Sequence, residues 1–508
     1  MTGNRPAALI VLLCLIYMAV AAMDRASHRF LWTDEIVTVV VAELPSAAAI
    51  WSALEAGIDG QPPAFTFIER AFRTASTDPH LAYRLPSIIG YLLTLAALFV
   101  FVRRRAGAIG GGVAIALTCL TPAFSLYAVE ARPYSLVMAC LAWAMVTWQQ
   151  IDRPWRAPML AFLLASASAL HYYYAVLGVV PFALAEVSQM WWTRRVRARV
   201  WLALFTPAVP LAIAWPLLQA LKRGLGQHFW APAQFGFTLS AYDYILGLPY
   251  RFGTAVAVAV SIGLLFSAVR ALRAAEPKQD FSEVVLLLGF VSLPTAAYVL
   301  AAVGGGGLTP RYVLPATLGL TSAIAISAGR LSWRHRTTCL GVLVLLVGLR
   351  ERAYWTDRGQ PARDRTNADI ALLEEWRLPQ DLQALPLVVS HGHAFIEMSY
   401  YDEPPGRQKL TYLVDPKSAV KYASSDSVDA IMPMLAAIMP IDVVPRAQFL
   451  QQHLRFLMFS KPDRWDWLYA QLVDEGYRAR PLFVTRSQTS SRILYLVEHG
   501  SVAPISDH

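Results

Sequence analysis

Two adjacent carboxylates are the first residues in this sequence whose type and place could do chemistry. Asp34 and Glu35 close the stretch Leu31-Trp32-Thr33-Asp34-Glu35, soon after the first long apolar run, and a second apolar run, Ile36 to Ala42, follows them. Carboxylates near a lipid face are costly to desolvate, so such a pair is expected to be solvated or partnered. An acid in that position can take the proton of an incoming nucleophile. The plainer account is a helix start, in which Thr33 or Asp34 caps a short helix through Val41; one Asp can both cap and catalyse.

Three other constellations carry forked cations. Tyr83-Arg84-Leu85-Pro86-Ser87 sets an arginine at the mouth of an apolar span. Tyr127-Ala128-Val129-Glu130-Ala131-Arg132-Pro133-Tyr134 is a charged turn between two spans, and Thr309-Pro310-Arg311-Tyr312 follows the glycines Gly304 to Gly307. Singly, each has a bland reading: Arg84 or Arg311 snorkels to headgroups, and Glu130 pairs with Arg132. Together they describe an acid and several guanidinium groups expected on one membrane face. That set suits transfer from a lipid phosphate, with the acid as base and the guanidinium forks holding the departing phosphate.

The elements that position these groups follow from composition. Of 508 residues, 56% are hydrophobic and 16% charged, and mean hydropathy is +0.42; a soluble chain carries nearer a quarter charged residues. Apolar runs of span length recur to residue 350 and then stop, which describes a polytopic α-helical membrane protein with a soluble tail. Eleven spans are expected, near 7–23, 84–102, 109–127, 133–150, 157–170, 173–190, 201–220, 252–272, 283–303, 310–329 and 337–350. The first has Arg5 before it and no convincing cleavage site, so it reads as retained. Basic clusters at Arg103 to Arg105, Arg153 with Arg156, Arg194 to Arg199, Arg270 to Lys278 and Arg330 to Arg336 fall in alternate loops. The positive-inside rule then puts the N-terminus in the cytoplasm and the tail outside it.

The outer face thereby collects the first loop (24–83), the loops carrying Glu130, His171 and Arg311, and the tail. Within the first loop, Ile36 to Ala42 and Ala47 to Leu54 suit short helices at the interface, with Trp51 at headgroup depth. From Glu351 to Thr366 the chain reads as a charged loop, and 367–499 alternates helix and strand patterns: a helix near 367–377, strands Leu387 to Ser390 and Leu410 to Val414, helices His393 to Tyr401 and Asp463 to Gly476. Segments Ile441 to Val444 and Leu454 to Ser460 follow the same alternation, and strands are expected near 481–485 and 492–498. A small α/β domain with a largely parallel sheet is expected over 351–508, without a dinucleotide-binding glycine turn.

The ordered motifs resemble a family. Trp-Thr-Asp-Glu after the first span, Gln-Pro-Pro at 61–63, Tyr-Arg-Leu-Pro-Ser, Glu-Ala-Arg-Pro-Tyr and Pro-Arg-Tyr-Val-Leu-Pro resemble the GT-C glycosyltransferases. The branch is that of protein O-mannosyltransferases, the lipid A aminoarabinose transferase and lipopolysaccharide-core transferases, and the resemblance covers roughly residues 1–350. It implies a polyprenyl-phosphate-linked sugar donor and inversion at the anomeric carbon. It also implies an extracytoplasmic active site, in a multi-pass protein of the bacterial inner membrane, and an envelope glycan, lipid or protein as acceptor. Carried over by position, Asp34 is the general base with Glu35 in support, and Arg84 lies near the donor phosphate. Arg132 and Arg311, with Glu130 and Tyr312, contact substrate. Many relatives have a His where Gln61 stands before the prolines, so a site built on that His is in doubt here.

Other features have plainer readings. His171-Tyr172-Tyr173-Tyr174 reads first as an aromatic interface belt. The Arg194 to Arg199 cluster is a topology signal, and His391-Gly392-His393 a strand-end loop rather than a metal site. No metal or other cofactor is expected: the remaining acids of the first loop, Glu55, Asp59 and Glu69, are scattered, and the four cysteines fall within spans at no metal or disulfide spacing. The net charge of +9 sits in loops beside the membrane lipids, not on a nucleic-acid-binding face. The competing function is a transporter or flippase, disfavoured by spans nearly free of ionisable residues and by the absence of an internal repeat. The tail's placement would suit choice of acceptor.

Overall fold

The computed structural model describes residues 5–224, 228–273, 278–357, 378–401, 409–486 and 491–499. Two compact units arise from interleaved stretches: Met1–His28, Gln61–Trp215 and Ala231–Gly359 form one, and Arg29–Gly60, Pro216–Trp230 and Gln360–His508 the other.

The first unit is helical. Every apolar stretch expected as a span is helical in whole or in part, from Arg5–Ser27 to Trp333–Asp357. Among the described residues, three helices are long and apolar enough to cross a membrane, Pro79–Leu120, Tyr174–Thr193 and Phe252–Ala271, or up to five if each of two bent pairs is one span. The count of eleven is therefore an expectation. The longest helix, Pro79–Leu120, breaks at Gly107 (φ 70°, ψ −175°), which accounts for two expected spans within one stretch. Its first half packs closely on Tyr134–Trp148: a Cβ at Gly90 would lie 2.6 Å from the backbone of Ser135 and Leu136, so only glycine permits this approach.

Two buried acids in this unit are paired with arginines. Glu283 receives a forked contact from Arg105 (Nη2 to Oε2 2.7 Å). Glu186, inside an expected span, accepts Trp148 Nε1–H at 2.7 Å and pairs with Arg197. Arg105 and Arg197 thus act as structural partners in addition to marking topology. The segment from Glu351 differs from the sequence reading: the helix continues to Asp357 instead of becoming a loop. Glu351 pairs with Arg25, Arg25 lies 4.3 Å over the Tyr354 ring, and Tyr354 donates to Asp24 Oδ2 at 2.7 Å. These contacts hold the extra turns on the first helix.

The second unit is built on a six-stranded sheet, β1 (Leu387–Val389), β2 (Leu410–Val414), β3 (Asp442–Pro445), β4 (Arg455–Ser460), β5 (Tyr477–Arg486) and β6 (Ser491–His499), in the order β3-β2-β1-β4-β6-β5. The first four are mutually parallel, and β6 and β5 join antiparallel. Parallel neighbours require crossovers, supplied by helices Gly392–Tyr401, Pro416–Ala423, Ser427–Ala436 and Arg446–Gln452. Val388, Leu413, Phe456, Met458, Trp467, Leu472 and Val497 form the core. The last helix, Trp467–Asp474, begins later than expected because Asp463 accepts the Trp465 N–H (2.7 Å), a local turn that competes with helix. The helix expected near 367–377 lies outside the described residues. Two helices of the first loop, Thr33–Ala42 and Ala47–Glu55, belong to this unit.

Candidate active site

The acidic motif sits at the start of Thr33–Ala42. Trp32 is the capping residue, in extended backbone (φ −95°, ψ 170°), so neither Thr33 nor Asp34 caps the helix as the sequence reading had it. The exposed N–H groups of the first turn find other acceptors. Glu35, at the third helical position, reaches back and accepts the Trp32 N–H at 3.1 Å, half of a capping box. Thr33 turns away: its N–H and Oγ1 both donate to Glu397 Oε1, at 3.1 and 2.9 Å. Thr38, one turn on, donates to Asp59 Oδ2 at 2.7 Å with the Asp34 carbonyl 3.1 Å away.

This geometry separates the two acids. Glu35 is fully buried (0% exposed) and occupied with the helix start, whereas Asp34 is partly exposed at the second helical position. There the helix dipole favours its negative charge. Asp34 is the more exposed of the two acids. In the same unit, the charge of Asp34 acts on the imidazole of His393, whose pKa is nevertheless lowered to about 4, first by burial and then by His391.

In the helical unit the structure brings together Glu130, Arg132, Arg311 and Tyr312, and adds residues that the sequence reading set aside. His171 ends the helix Arg156–Leu170 and is buried among rings: Tyr312 at 4.8 Å, Tyr174 at 5.4 Å and Tyr134 at 5.6 Å between centroids. Tyr173 stacks on Tyr312 (4.7 Å, 29°), and Arg311 stands 5.9 Å from the rings of both Tyr134 and Tyr312. Burial lowers the His171 pKa to about 3, helped by the charges of Arg132 and Arg311, so the ring is neutral. Glu130 acts electrostatically on Tyr244, whose hydroxyl meets that of Tyr127 at 2.9 Å. The expected interface belt at 171–174 is corrected in part: His171 is buried against Tyr134 and Tyr312, and Tyr174 is buried with its ring on His171 and its hydroxyl donating to the Tyr312 carbonyl.

Loop chemistry fixes the cluster. Ser87, from the Tyr-Arg-Leu-Pro-Ser motif, donates to the Arg132 carbonyl (2.8 Å), and Ser135 donates to the Tyr127 carbonyl (2.8 Å), closing the charged turn at both ends. The glycine run has a steric role: Tyr173 donates to the Gly307 carbonyl, and a Cβ at Gly306 would lie 2.6 Å from the Tyr173 hydroxyl. Arg84 is not at a headgroup. It is completely buried, and its Nη1 donates to the Ala26 carbonyl at 2.7 Å, at the C-terminal end of the first helix, where a cation is favoured. Gln61 is buried at the turn before the helix Pro63–Phe72.

Among the described residues no group of His, Cys, Asp or Glu is arranged to hold a metal ion. A cleft between helices, lined by Leu184, Tyr242, Val285, Leu288 and Ser292, contains no acid, base or histidine, so it offers no acid–base chemistry. His171 was the residue most open to detection by sequence: it is the one histidine in a short loop expected on the same face as Arg132 and Arg311.

No protein-family model matches the sequence, and no curated protein does. Among solved structures, the chain is similar to ArnT from Cupriavidus metallidurans bound to undecaprenyl phosphate, at 13% identity and TM-score 0.53, over 97% of this chain and 98% of that one. The same protein in its apo state aligns at 14% identity and TM-score 0.45, over 96% and 98%. An oligosaccharyltransferase from Archaeoglobus fulgidus, in complex with zinc and sulfate, aligns at 11% and TM-score 0.45, over 95% and 72%. Along nearly its whole length, this chain shares the fold of that undecaprenyl-phosphate-bound ArnT.

Proposed function

We propose that the protein is an inverting glycosyltransferase that moves a sugar from a polyprenyl-phosphate carrier to an extracytoplasmic acceptor: an envelope glycan, lipid or protein. The observation that carries this reading is the state of the acidic motif. Glu35 is buried and accepts the Trp32 N–H, while Asp34 is a partly exposed carboxylate on a fixed helix start. Asp34 takes the proton of the acceptor hydroxyl as that oxygen attacks the anomeric carbon. The bond from that carbon to the phosphate oxygen breaks, and its electron pair leaves with the polyprenyl phosphate.

Arg132 and Arg311 neutralise the leaving phosphate, with Tyr312 and Tyr173 offering flat faces for sugar or isoprenoid. The similar ArnT holds undecaprenyl phosphate, which supports a carrier of that class here. Arg84 supports the site through its bond to the first helix, and Gln61 stands where a relative's His would be. The protein works in the bacterial inner membrane, with its N-terminus in the cytoplasm and residues 351–508 as an extracytoplasmic domain. Transport of a lipid-linked substrate is less well supported, because the acids Glu186 and Glu283 within the expected spans are paired with arginines.

The test is transfer from a pool of labelled polyprenyl-phosphate sugars into envelope extract, with wild type and Asp34→Asn in membranes at matched expression. Wild type labels a glycan product and Asp34→Asn loses at least 100-fold, the scale of general-base catalysis at about 10²–10⁴. A wild-type protein that labels nothing from any donor, yet moves a lipid-linked substrate across vesicles, overturns the reading.

A further inference from the structure

We propose that the C-terminal α/β domain is a positioning element for the acidic motif, acting through one stripe of the helix Gly392–Tyr401. His393, Glu397 and Tyr401 are spaced four residues apart and so lie on one face of that helix. Each meets a successive part of residues 30–34. The Tyr401 ring stacks on Phe30 (4.1 Å, 19°), and its hydroxyl accepts the Leu31 N–H at 2.7 Å. Glu397 takes both the N–H and the hydroxyl of Thr33. His393 lies where the charge of Asp34 reaches its ring.

The backbone N–H groups of residues 31, 32 and 33 are therefore all bonded, two of them by this helix and the middle one by Glu35. A helix start leaves donors such as the Thr33 N–H without internal partners, and here Glu397 of the tail satisfies that one. The residue immediately following, Asp34, inherits a fixed backbone.

Sheet topology explains why this edge of the domain bears the stripe. The chain leaves β1 for β2 on one side and later returns to β4 on the other. The carboxyl ends of β1 and β4 form the switch point where open α/β sheets place their polar groups. Ser390, His391 and Gly392 follow β1, and Lys461 to Asp466 follow β4, with His391 Nε2 3.1 Å from Asp463 Oδ2. The groups that act on His393 are Asp34, His391, Lys461 and Asp463, so the stripe begins at this polar edge. The sequence reading left the tail as a selector of acceptors; this geometry gives it a part in holding the base.

The proposal rests on Asp34 being the base, so its test has two arms on the full-length protein in proteoliposomes. One arm measures transfer kinetics with the polyprenyl-phosphate sugar pool. The other measures backbone deuterium exchange over residues 30–36, which does not depend on activity. Glu397→Ala is expected to lower kcat about 100-fold, the effect of an ångström-scale misplacement, with the donor KM within about twofold. Exchange over 31–35 rises in the same variant.

Glu397→Gln retains an oxygen that accepts both Thr33 bonds and stays within about threefold of wild type; Tyr401→Phe keeps the stack, loses one bond and falls about three- to tenfold. Arg455→Ala, at the opposite end of β4, leaves kcat unchanged. The proposal is overturned if Glu397→Ala keeps more than half of the wild-type kcat, if Ala and Gln fall equally, or if exchange over 31–35 does not change. If wild type transfers no sugar, the transferase reading fails, and the exchange arm alone decides whether the tail holds the motif.

Discussion

Glu35→Ala and Asp34→Asn should separate structure from catalysis at adjacent positions. In Glu35→Ala the Trp32 N–H loses the carboxylate that accepts it at 3.1 Å, and a side chain buried to 0% exposure is removed. Loss of a cap costs about 1 kcal/mol, and stranding a buried donor about 1–3. The helix Thr33–Ala42 should therefore open about five to a hundred times more often, at about 1.4 kcal/mol per tenfold. Asp34, at the second helical position, is partly exposed, and Asn is nearly its isostere. Asp34→Asn should leave exchange protection of that helix within about twofold while kcat falls about 10²–10⁴, equivalent to about 3–5 kcal/mol in the barrier.

Glu35→Gln, which can still accept the Trp32 N–H, should keep most of both properties. The measurements are exchange of residues 31–42 by mass spectrometry and single-turnover transfer at saturating donor. The reasoning is refuted if Asp34→Asn retains more than a tenth of the wild-type rate while Glu35→Gln abolishes it, because the buried acid would then be the base. It is also refuted if Asp34→Asn loosens the helix as much as Glu35→Ala does.

Further outcomes follow from the aromatic and cationic cluster. Arg311→Ala should raise the donor KM about 10- to 100-fold, the worth of charge-assisted bonds to phosphate at about 1.5–3 kcal/mol, with a smaller change for an acceptor that carries no phosphate; steady-state kinetics in proteoliposomes read both. Gly306→Ala should drive the Tyr173 hydroxyl away from a Cβ otherwise 2.6 Å off and disturb the Tyr173–Tyr312 stack, lowering transfer without loss of expression. His171 is held neutral, with its pKa lowered from 6.5 to about 3. Between those values the unfolded chain binds a proton that the folded chain does not, so this contribution is full above about pH 6.5 and declines as pH falls toward 3. His171→Asn should flatten that part of the stability profile, read as melting temperature in detergent against pH.

Much of the helical unit was legible from local sequence. Apolar runs and arginine clusters depend on neighbouring residues alone, and each expected stretch is helical. The tail's class was legible for the same reason: β2 falls at Leu410–Val414 as its pattern predicts, and β1 starts at the expected Leu387. Helices Pro416–Ala423, Ser427–Ala436 and Arg446–Gln452 were not picked out. They are short, one contains Pro433, and the first has only two buried residues, Ser418 and Ala419. Segments of seven to ten residues are too short for their pattern to declare a helix; the crossovers between parallel strands impose it.

The sequence by itself determined which residues carry charge next to the bilayer, in what order, and the helix and strand periods around them. Tertiary structure alone decided what each charge meets. Local pattern presents Asp34 and Glu35 as equals, and packing over the helix start buries one and leaves the other partly exposed. Arg84 reads as a headgroup contact until its burial against the Ala26 carbonyl is seen. The bond from Thr33 to Glu397 spans 364 residues, and no periodicity reports a contact at that range. The physical reason is common to all three cases. Burial and hydrogen-bond partners depend on what the rest of the chain brings over a residue, and a buried donor or carboxylate takes whichever partner that packing supplies.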